Sequence, residues 1–337
     1  MTFANRAVRG TRAACVLGMT KYGYKLMSEE HGPLELLRNA VGAEQAGFDF
    51  VAISDHFHPW LSSQGHSPAA WTVLGAIAAR TERVGLATAV TCPTIRYHPA
   101  TVAQSAATLA ILSNGRFTLG LGSGENLNEH VVDEGWPPPR ERQDMLADAI
   151  DVIQKLWEGE EVSHDGPYFS VDRAKLWDVP EKTPGIAVAA GGPRAARLAG
   201  EKGLGLFATE AKPELVQGWS QGGGRGPRYA EVGLCWARKE AEAVRIARER
   251  MSFSLLGWKV LPELPTPASF ESAVRCVRDE DIAEKFACGP DPERHVAAVR
   301  KYIEAGFDHI VLLSAGPDQE GFLAFWQKEL EPRLSRL

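Results

Sequence analysis

No Cys-x-x-C pair occurs in the chain. Its five cysteines, Cys15, Cys92, Cys235, Cys276 and Cys288, are odd in number and scattered. That is the free-thiol usage of a reducing compartment, and it excludes a standard zinc site. No block of lysines or arginines occurs either. With a formal net charge of -6, the chain has no stripe for nucleic acid and a surface that disfavours polyanions. No apolar span approaches membrane length. After the opening Arg6, Arg9 and Arg12, none of signal-peptide length appears before Lys21. The opening reads as a short, basic, mobile segment and the whole as a soluble cytoplasmic protein. No internal repeat or low-complexity tract stands out, and no domain linker.

What is present is a rhythm. Hydrophobic residues make up 44% of the 337 positions, enough for one large core or two ordinary ones. Apolar runs at 13–18, 48–54, 84–90, 116–122, 185–191, 205–209, 231–237 and 308–314 alternate with amphipathic stretches at 33–46, 99–112, 140–157, 194–203, 238–250, 293–305 and 318–335. Nearly continuous apolar strands followed by helical segments predict a parallel sheet covered on both faces. Eight such units predict a (β/α)8 barrel, one domain over 1–337, with segments near 59–71 and 251–292 inserted over the mouth. The rival is an open doubly wound sheet. It needs a dinucleotide fingerprint after the first strand, and "VLGMTKYG" supplies none.

Reactive groups of such barrels collect at the C-terminal ends of the strands. The second strand ends in "SDHFHPW", with Asp55, His56 and Trp60 placed at the mouth. The third runs into "TAVTCPTIRYHPA", with Arg96 and His98. The fourth runs into "GSGENLNEH", where Gly122 and Gly124 permit close backbone approach and Glu125, Asn126, Asn128 and Glu129 follow. The fifth ends in "AAGGPRAARLAG", where Pro193 opens a helix whose free N–H groups suit a phosphate or carboxylate, with Arg194 beside it. Singly, each is an ordinary cap or turn. Together they predict an active site for a large, partly anionic cofactor.

The stretches "SDHFHPW", "PTIRYHPATVAQ", "GRFTLGLGSGENLNE" and "AAGGP" resemble the luciferase-like barrel superfamily. The likeness is to its branch containing the F420-dependent glucose-6-phosphate dehydrogenases, and it extends from "YGYK" to "FLAFWQKELEPRL". The resemblance implies a luciferase-like (β/α)8 barrel that binds the 5-deazaflavin coenzyme F420, as a homodimer acting on a small molecule, without metal, nucleic acid or membrane partner. It implies catalytic roles for His56, Glu125 and Trp60. Cofactor contacts are implied at Asp55, Ser123, Gly124, Asn128, Gly191, Gly192, Arg194 and Ala195, at a non-proline cis peptide Ala89–Val90, and at Cys92, which stands where the family has a threonine. Deazaflavin carries hydride, so the protein must manage two protons. An imidazole suits the substrate hydroxyl and a desolvated carboxylic acid the ring, which assigns His56 as base and Glu125 as acid, with the reverse left open.

For sugar phosphates the branch uses two lysines, an arginine and a threonine. Thr209 and Lys212 match one lysine and the threonine. Lys285 stands near the arginine's place, and "LPELPTPASF" offers no counterpart to the other lysine. Trp71, Trp219 and Trp258 near the expected mouth favour a more apolar alcohol or ketone. The expectation is an F420-dependent alcohol or sugar oxidoreductase. Its alternatives are an F420-dependent glucose-6-phosphate dehydrogenase, an FMN-dependent luciferase-like monooxygenase and a non-catalytic cofactor-binding barrel.

Overall fold

The computed structural model describes residues 20–337. Its strands are β1 (Lys21–Leu26), β2 (Phe50–Ile53), β3 (Gly85–Thr88), β4 (Phe117–Leu121), β5 (Val162–Asp165), β6 (Ser170–Ala174), β7 (Gly185–Ala189), β8 (Gly205–Ala208), β9 (Arg228–Cys235), β10 (Ala287–Cys288) and β11 (His309–Ser314). Eight of them close a barrel in the order β1-β2-β3-β4-β7-β8-β9-β11, and β11 returns to β1 with Tyr22 opposite Ile310. Every pair in the ring is parallel. The two-residue β10 extends the end of β9, and β5–β6 form an antiparallel hairpin outside the ring.

The predicted run at 13–18 lies outside the described residues, and the first barrel strand is β1. Its sequence KYGYKL hides the strand, because it alternates polar and aromatic residues and carries a lysine inside the barrel. The pleat explains why the other strands read as unbroken apolar runs. Phe50, Ala52, Ala87, Ala187, Phe207, Tyr229 and Val311 point inward. Val51, Ile53, Leu86, Leu119, Leu121, Val188, Leu206 and Leu312 point outward into the layer of helices. The interior is tightly filled: a Cβ at Gly23 would lie 2.3 Å from the Phe50 ring.

The helices are α1 (Pro33–Gln45), α2 (Ala70–Ala78), α3 (Pro99–Leu112), α4 (Asn126–Glu129), α5 (Pro139–Leu156), α6 (Pro193–Glu201), α7 (Pro213–Gln221), α8 (Glu240–Met251), α9 (Pro267–Ala273), α10 (Asp279–Lys285), α11 (Pro292–Glu304), α12 (Gln319–Phe325) and α13 (Glu331–Leu334). Seven begin on proline, whose fixed φ suits the first turn and whose missing N–H costs nothing there. The same punctuation that Pro193 gave marks α7 as well, which the periodicity did not reveal in nine residues. Helix α2 was hidden within and after a stretch read as an insertion. Between β9 and β10 the chain does not run irregularly. After α8 it forms α9, α10 and two 3-10 turns, Ser252–Leu255 and Leu261–Glu263. Among the described residues no helix is long and apolar enough to cross a membrane.

Candidate active site

The loops after β1, β2, β3 and β4 interlock at one rim. Ser28 Oγ donates to Ser54 O at 2.9 Å, tying the first two strand ends. Beside Ser28, Glu29 is buried, and its Oε1 lies 2.6 Å from His56 Nδ1. Burial alone would raise the Glu29 carboxyl, but the imidazolium and Lys25 overcome that and hold it at about 2. Burial pulls His56 down, yet the Glu29 carboxylate, joined by the charge of Glu125, raises it above its ordinary value. His56 and Glu125, 69 positions apart in the chain, thus stand within electrostatic reach of each other.

Asp55 does not project freely. Its Oδ2 accepts from Thr91 Oγ1 at 2.7 Å and Trp71 Nε1 at 3.2 Å, and its Oδ1 accepts from Arg96 Nη2 at 3.1 Å and Tyr97 OH at 3.2 Å. It braces the floor, and Trp71 is a donor in that brace rather than a wall of the pocket. Arg96 also donates its backbone N–H to Glu129 at 2.9 Å. Burial pushes the Glu129 carboxyl up to about 7 against the pull of Arg96. Asn128 holds the β2 loop in place, its Oδ1 accepting from Phe57 N at 2.9 Å and His58 N at 3.2 Å, while its Nδ2 is buried without a partner.

The Ala89–Val90 peptide is cis. Beneath it, Lys25 Nζ donates to Ala89 O at 3.1 Å and pairs with Glu231 Oε2 at 2.6 Å. Gly124 has φ +79, and a Cβ there would lie 2.7 Å from Cys92 Sγ, so only glycine fits. Burial raises the Cys92 thiol well above its usual range, against the opposing pull of Thr94, whose Oγ1 lies 3.0 Å from the sulfur. Ser123 precedes Gly124 on this loop, and Glu125 stands at the N-cap position of α4 with no capping hydrogen bond from its side chain.

Trp60 is buried in an aromatic stack. Its ring lies on Phe253 at 4.7 Å and 7°, edge-on to Phe270 at 5.2 Å, and receives His56 edge-on at 5.1 Å. Phe253 and Phe270 come from the segment between β9 and β10. That segment is pinned by Glu263, which accepts from Arg142 at 2.8 Å and Trp136 at 2.8 Å, and by the Glu263 carbonyl, which accepts from Asn126 at 3.2 Å. Trp258, from the same segment, lies over exposed Gly191, where an added Cβ would meet its ring at 3.2 Å. Gly192 caps α6 with open space on its Cβ side, and Ala195 is buried in the first turn.

Other expected contacts are engaged elsewhere. Arg194 pairs with Asp144 at 2.5 Å. Trp219 donates to Leu204 O at 2.7 Å, at the beginning of β8, so it belongs to the opposite rim from the mouth. Thr209 and Lys212 follow β8, but Lys212 pairs with Glu210 at 2.7 Å, and Lys285 donates to Ser254 O. The sequence reading missed Glu29, Lys25, Glu231, Phe253 and Phe270. A usable signal existed for the charged three: opposite charges inside or just past strands seldom survive burial unless paired. Among the described residues no group of His, Cys, Asp and Glu could hold a metal ion.

Residues 17–309 match the family described as luciferase-like monooxygenase. The chain belongs to that family. This luciferase-like barrel is 39% identical over 329 residues to a protein of Beutenbergia cavernae named F420-dependent glucose-6-phosphate dehydrogenase, covering 94% of this chain and 98% of that one. A protein of the same name from Microbacterium testaceum is 38% identical with the same coverage. Among solved structures, an F420-dependent secondary alcohol dehydrogenase in complex with an F420-acetone adduct superposes with a TM-score of 0.87 at 29% identity, over 93% of this chain and 99% of that one. The luciferase-like fold extends to the F420-dependent tetrahydromethanopterin reductase of Methanopyrus kandleri, at 20% identity and a TM-score of 0.75.

Proposed function

We propose that this luciferase-like barrel is an F420-dependent oxidoreductase that interconverts an alcohol and its carbonyl compound by hydride transfer, as a single-domain cytoplasmic homodimer. The observation that carries the reading is His56 held on buried Glu29 with Glu125 within electrostatic reach. The F420-dependent names of the relatives and of the structure with the acetone adduct support the cofactor.

The residues fit a long anionic group. The unpartnered Asn128 Nδ2 is a donor in want of an acceptor, and the α6 start offers free N–H groups behind open Gly192. Ala89, Val90, Cys92, Ser123, Gly124, Asn128, Gly191, Gly192 and Ala195 would line its site, Asp55 would brace the loops beside it, and Arg194 would reach it only by leaving Asp144. When bound, the deazaflavin supplies hydride exchange at a carbon. His56 handles the substrate's proton. Because Nδ1 faces Glu29, the free Nε2 receives the hydroxyl proton during oxidation and returns it during reduction, and Glu29 stabilises the imidazolium. Glu125 handles the second proton. Trp60, fixed between Phe253 and His56, shapes the wall against the substrate.

Titrating the apo-protein separately with F420 and with FMN tests the reading. Expected are quenched deazaflavin fluorescence and no tight FMN complex. Tight FMN and absent F420 binding would make it a flavin monooxygenase instead. His56→Ala and Glu125→Gln should each lower kcat by about 10²–10⁴ with F420 binding retained, and unchanged rates would overturn the catalytic roles. Light scattering checks the dimer.

A further inference from the structure

Arg96 lies between the loop that carries His56 and the loop that carries Glu125. Its side chain, 10% exposed, stands between the buried carboxylates of Asp55 and Glu129. On one side Nη2 donates to Asp55 O at 2.7 Å and to Asp55 Oδ1 at 3.1 Å, while Nη1 donates to Tyr97 OH at 3.1 Å. On the other side the Arg96 backbone N–H donates to Glu129 Oε2 at 2.9 Å, and the Glu129 N–H donates to Glu125 O at 3.2 Å. His56 directly follows Asp55, so hydrogen bonds through one residue join the two loops. A planar fork can serve these partners together, whereas an ammonium is a single point of charge. One contact stays open. Arg96 Nε is buried without an acceptor, and Glu129 Oε1 stands 3.7 Å from it. Burial pushes the Glu129 carboxyl up to about 7 against the pull of Arg96, and the charges of Glu125 and Asp55 add to the rise. Tyr97 and Cys92 also face this carboxyl. Burial pushes Tyr97 up to about 12 and Cys92 well above its usual range, so both are neutral through pH 8. Glu129 is therefore the group beside Arg96 that changes charge near neutral pH.

Building on the functional reading above, we propose that Arg96 is the positioning residue that sets the gap between His56 and Glu125, with Glu129 as its anchor. Arg96 acts through Asp55 on one loop and through Glu129 on the other. A reaction that handles two protons needs its base and its acid at a fixed separation, and a misplacement of about 1 Å costs about 10²-fold in rate. Ionised Glu129 attracts Arg96 Nε and closes the open contact, whereas protonated Glu129 leaves it open. The tie between the loops is therefore firmer at pH 8 than at pH 6.

The experiment compares the whole wild-type protein with Arg96→Lys and Glu129→Gln. F420 binding is read from fluorescence quenching. The constants kcat and KM are measured at pH 6 and pH 8 on the fastest substrate among propan-2-ol, cyclohexanol and glucose 6-phosphate, and hydrogen exchange is measured without cofactor. Arg96→Lys should keep F420 affinity and KM within about threefold of wild type while kcat falls at least about 100-fold. Glu129→Gln keeps an acceptor for the Arg96 N–H but cannot ionise. Its kcat relative to wild type at the same pH should fall at least about threefold from pH 6 to pH 8. Exchange across 54–58 and 125–130, again relative to wild type, should quicken over the same interval. Three results would each overturn the proposal: Arg96→Lys with kcat within about threefold of wild type, Arg96→Lys that loses F420 binding as steeply as kcat, or a Glu129→Gln ratio equal at both pH values. If Arg96→Lys does not fold, the Glu129→Gln ratio decides. Wild-type protein that does not bind F420 would instead overturn the functional reading, while exchange in the cofactor-free proteins still decides whether Glu129 anchors Arg96.

Discussion

Glu29 stands against His56 in a space where neither charge would be stable alone. The His56 contribution to stability is complete below about pH 6.5 and lost as pH rises through its raised pKa. The Glu29 contribution is present above about pH 4.5 and lost as pH falls through about 2. For alcohol oxidation the imidazole must be neutral, so the acid limb of kcat/KM should lie above pH 6.5. In Glu29→Gln the counter-charge is gone, and the limb should move about one unit or more to lower pH. A pH–rate profile with an unmoved limb would remove His56 from the base role. Glu30 behaves oppositely, since burial raises its carboxyl to about 7 although Gly316 N donates to it at 2.9 Å. A raised acid binds its proton more tightly in the folded state, so stability falls as pH rises from 4.5 to 7. Glu30→Gln should match wild type at pH 4 and exceed it by up to about 3 kcal/mol at pH 8 in urea unfolding.

At the scale of elements, the excursion between β9 and β10 matters most, because it brings Phe253, Phe270 and Trp258 to the mouth. Its attachment to α5 rests on Glu263, and Arg142 is left with buried Nε and Nη1 even when that contact is made. Glu263→Ala strands the guanidinium beneath Trp136. Because Glu263 itself is partly exposed, the cost should be about 1–2 kcal/mol rather than the larger value for a fully buried pair. Hydrogen exchange should accelerate across 252–285 and remain slow in β1 to β4. Acceleration spread evenly over the barrel would show that Glu263 does not act as a local pin. The existence of this segment was legible from its broken rhythm and prolines. Its helices were not, because seven-residue helices show too few turns for a period.

At the scale of the whole molecule, closure depends on residues far apart in the chain. Trp326, near the C-terminus, stacks on Phe48 at 4.2 Å and 19° and donates to Ala46 O at 3.1 Å, and Tyr22 OH donates to Leu334 O at 3.1 Å. The last helices therefore clamp the first two strands at the seam where β11 meets β1. Trp326→Ala should cost about 3–5 kcal/mol in chemical denaturation. A cost below about 1 kcal/mol would mean that the seam holds without the clamp.

Period and punctuation located seven of the eight barrel strands, because strands buried on both faces are apolar nearly throughout and the helices that follow them start at a strand's end, whereas the polar and aromatic β1 was not found. The same reasoning located "SDHFHPW" and "GSGENLNE" at strand ends, since that position follows from chain order. Which of those side chains face one another was decided only by the closed ring. Asp55 turned inward to Arg96 and Thr91, Trp219 went to the far rim, and Glu29 came to His56 from the turn after β1, a strand whose polar sequence concealed it. The physical reason is that a buried charge is tolerated only beside its partner. Along this chain the partners stand 27 positions apart for Glu29 and His56 and 206 for Lys25 and Glu231, distances that local sequence pattern cannot span.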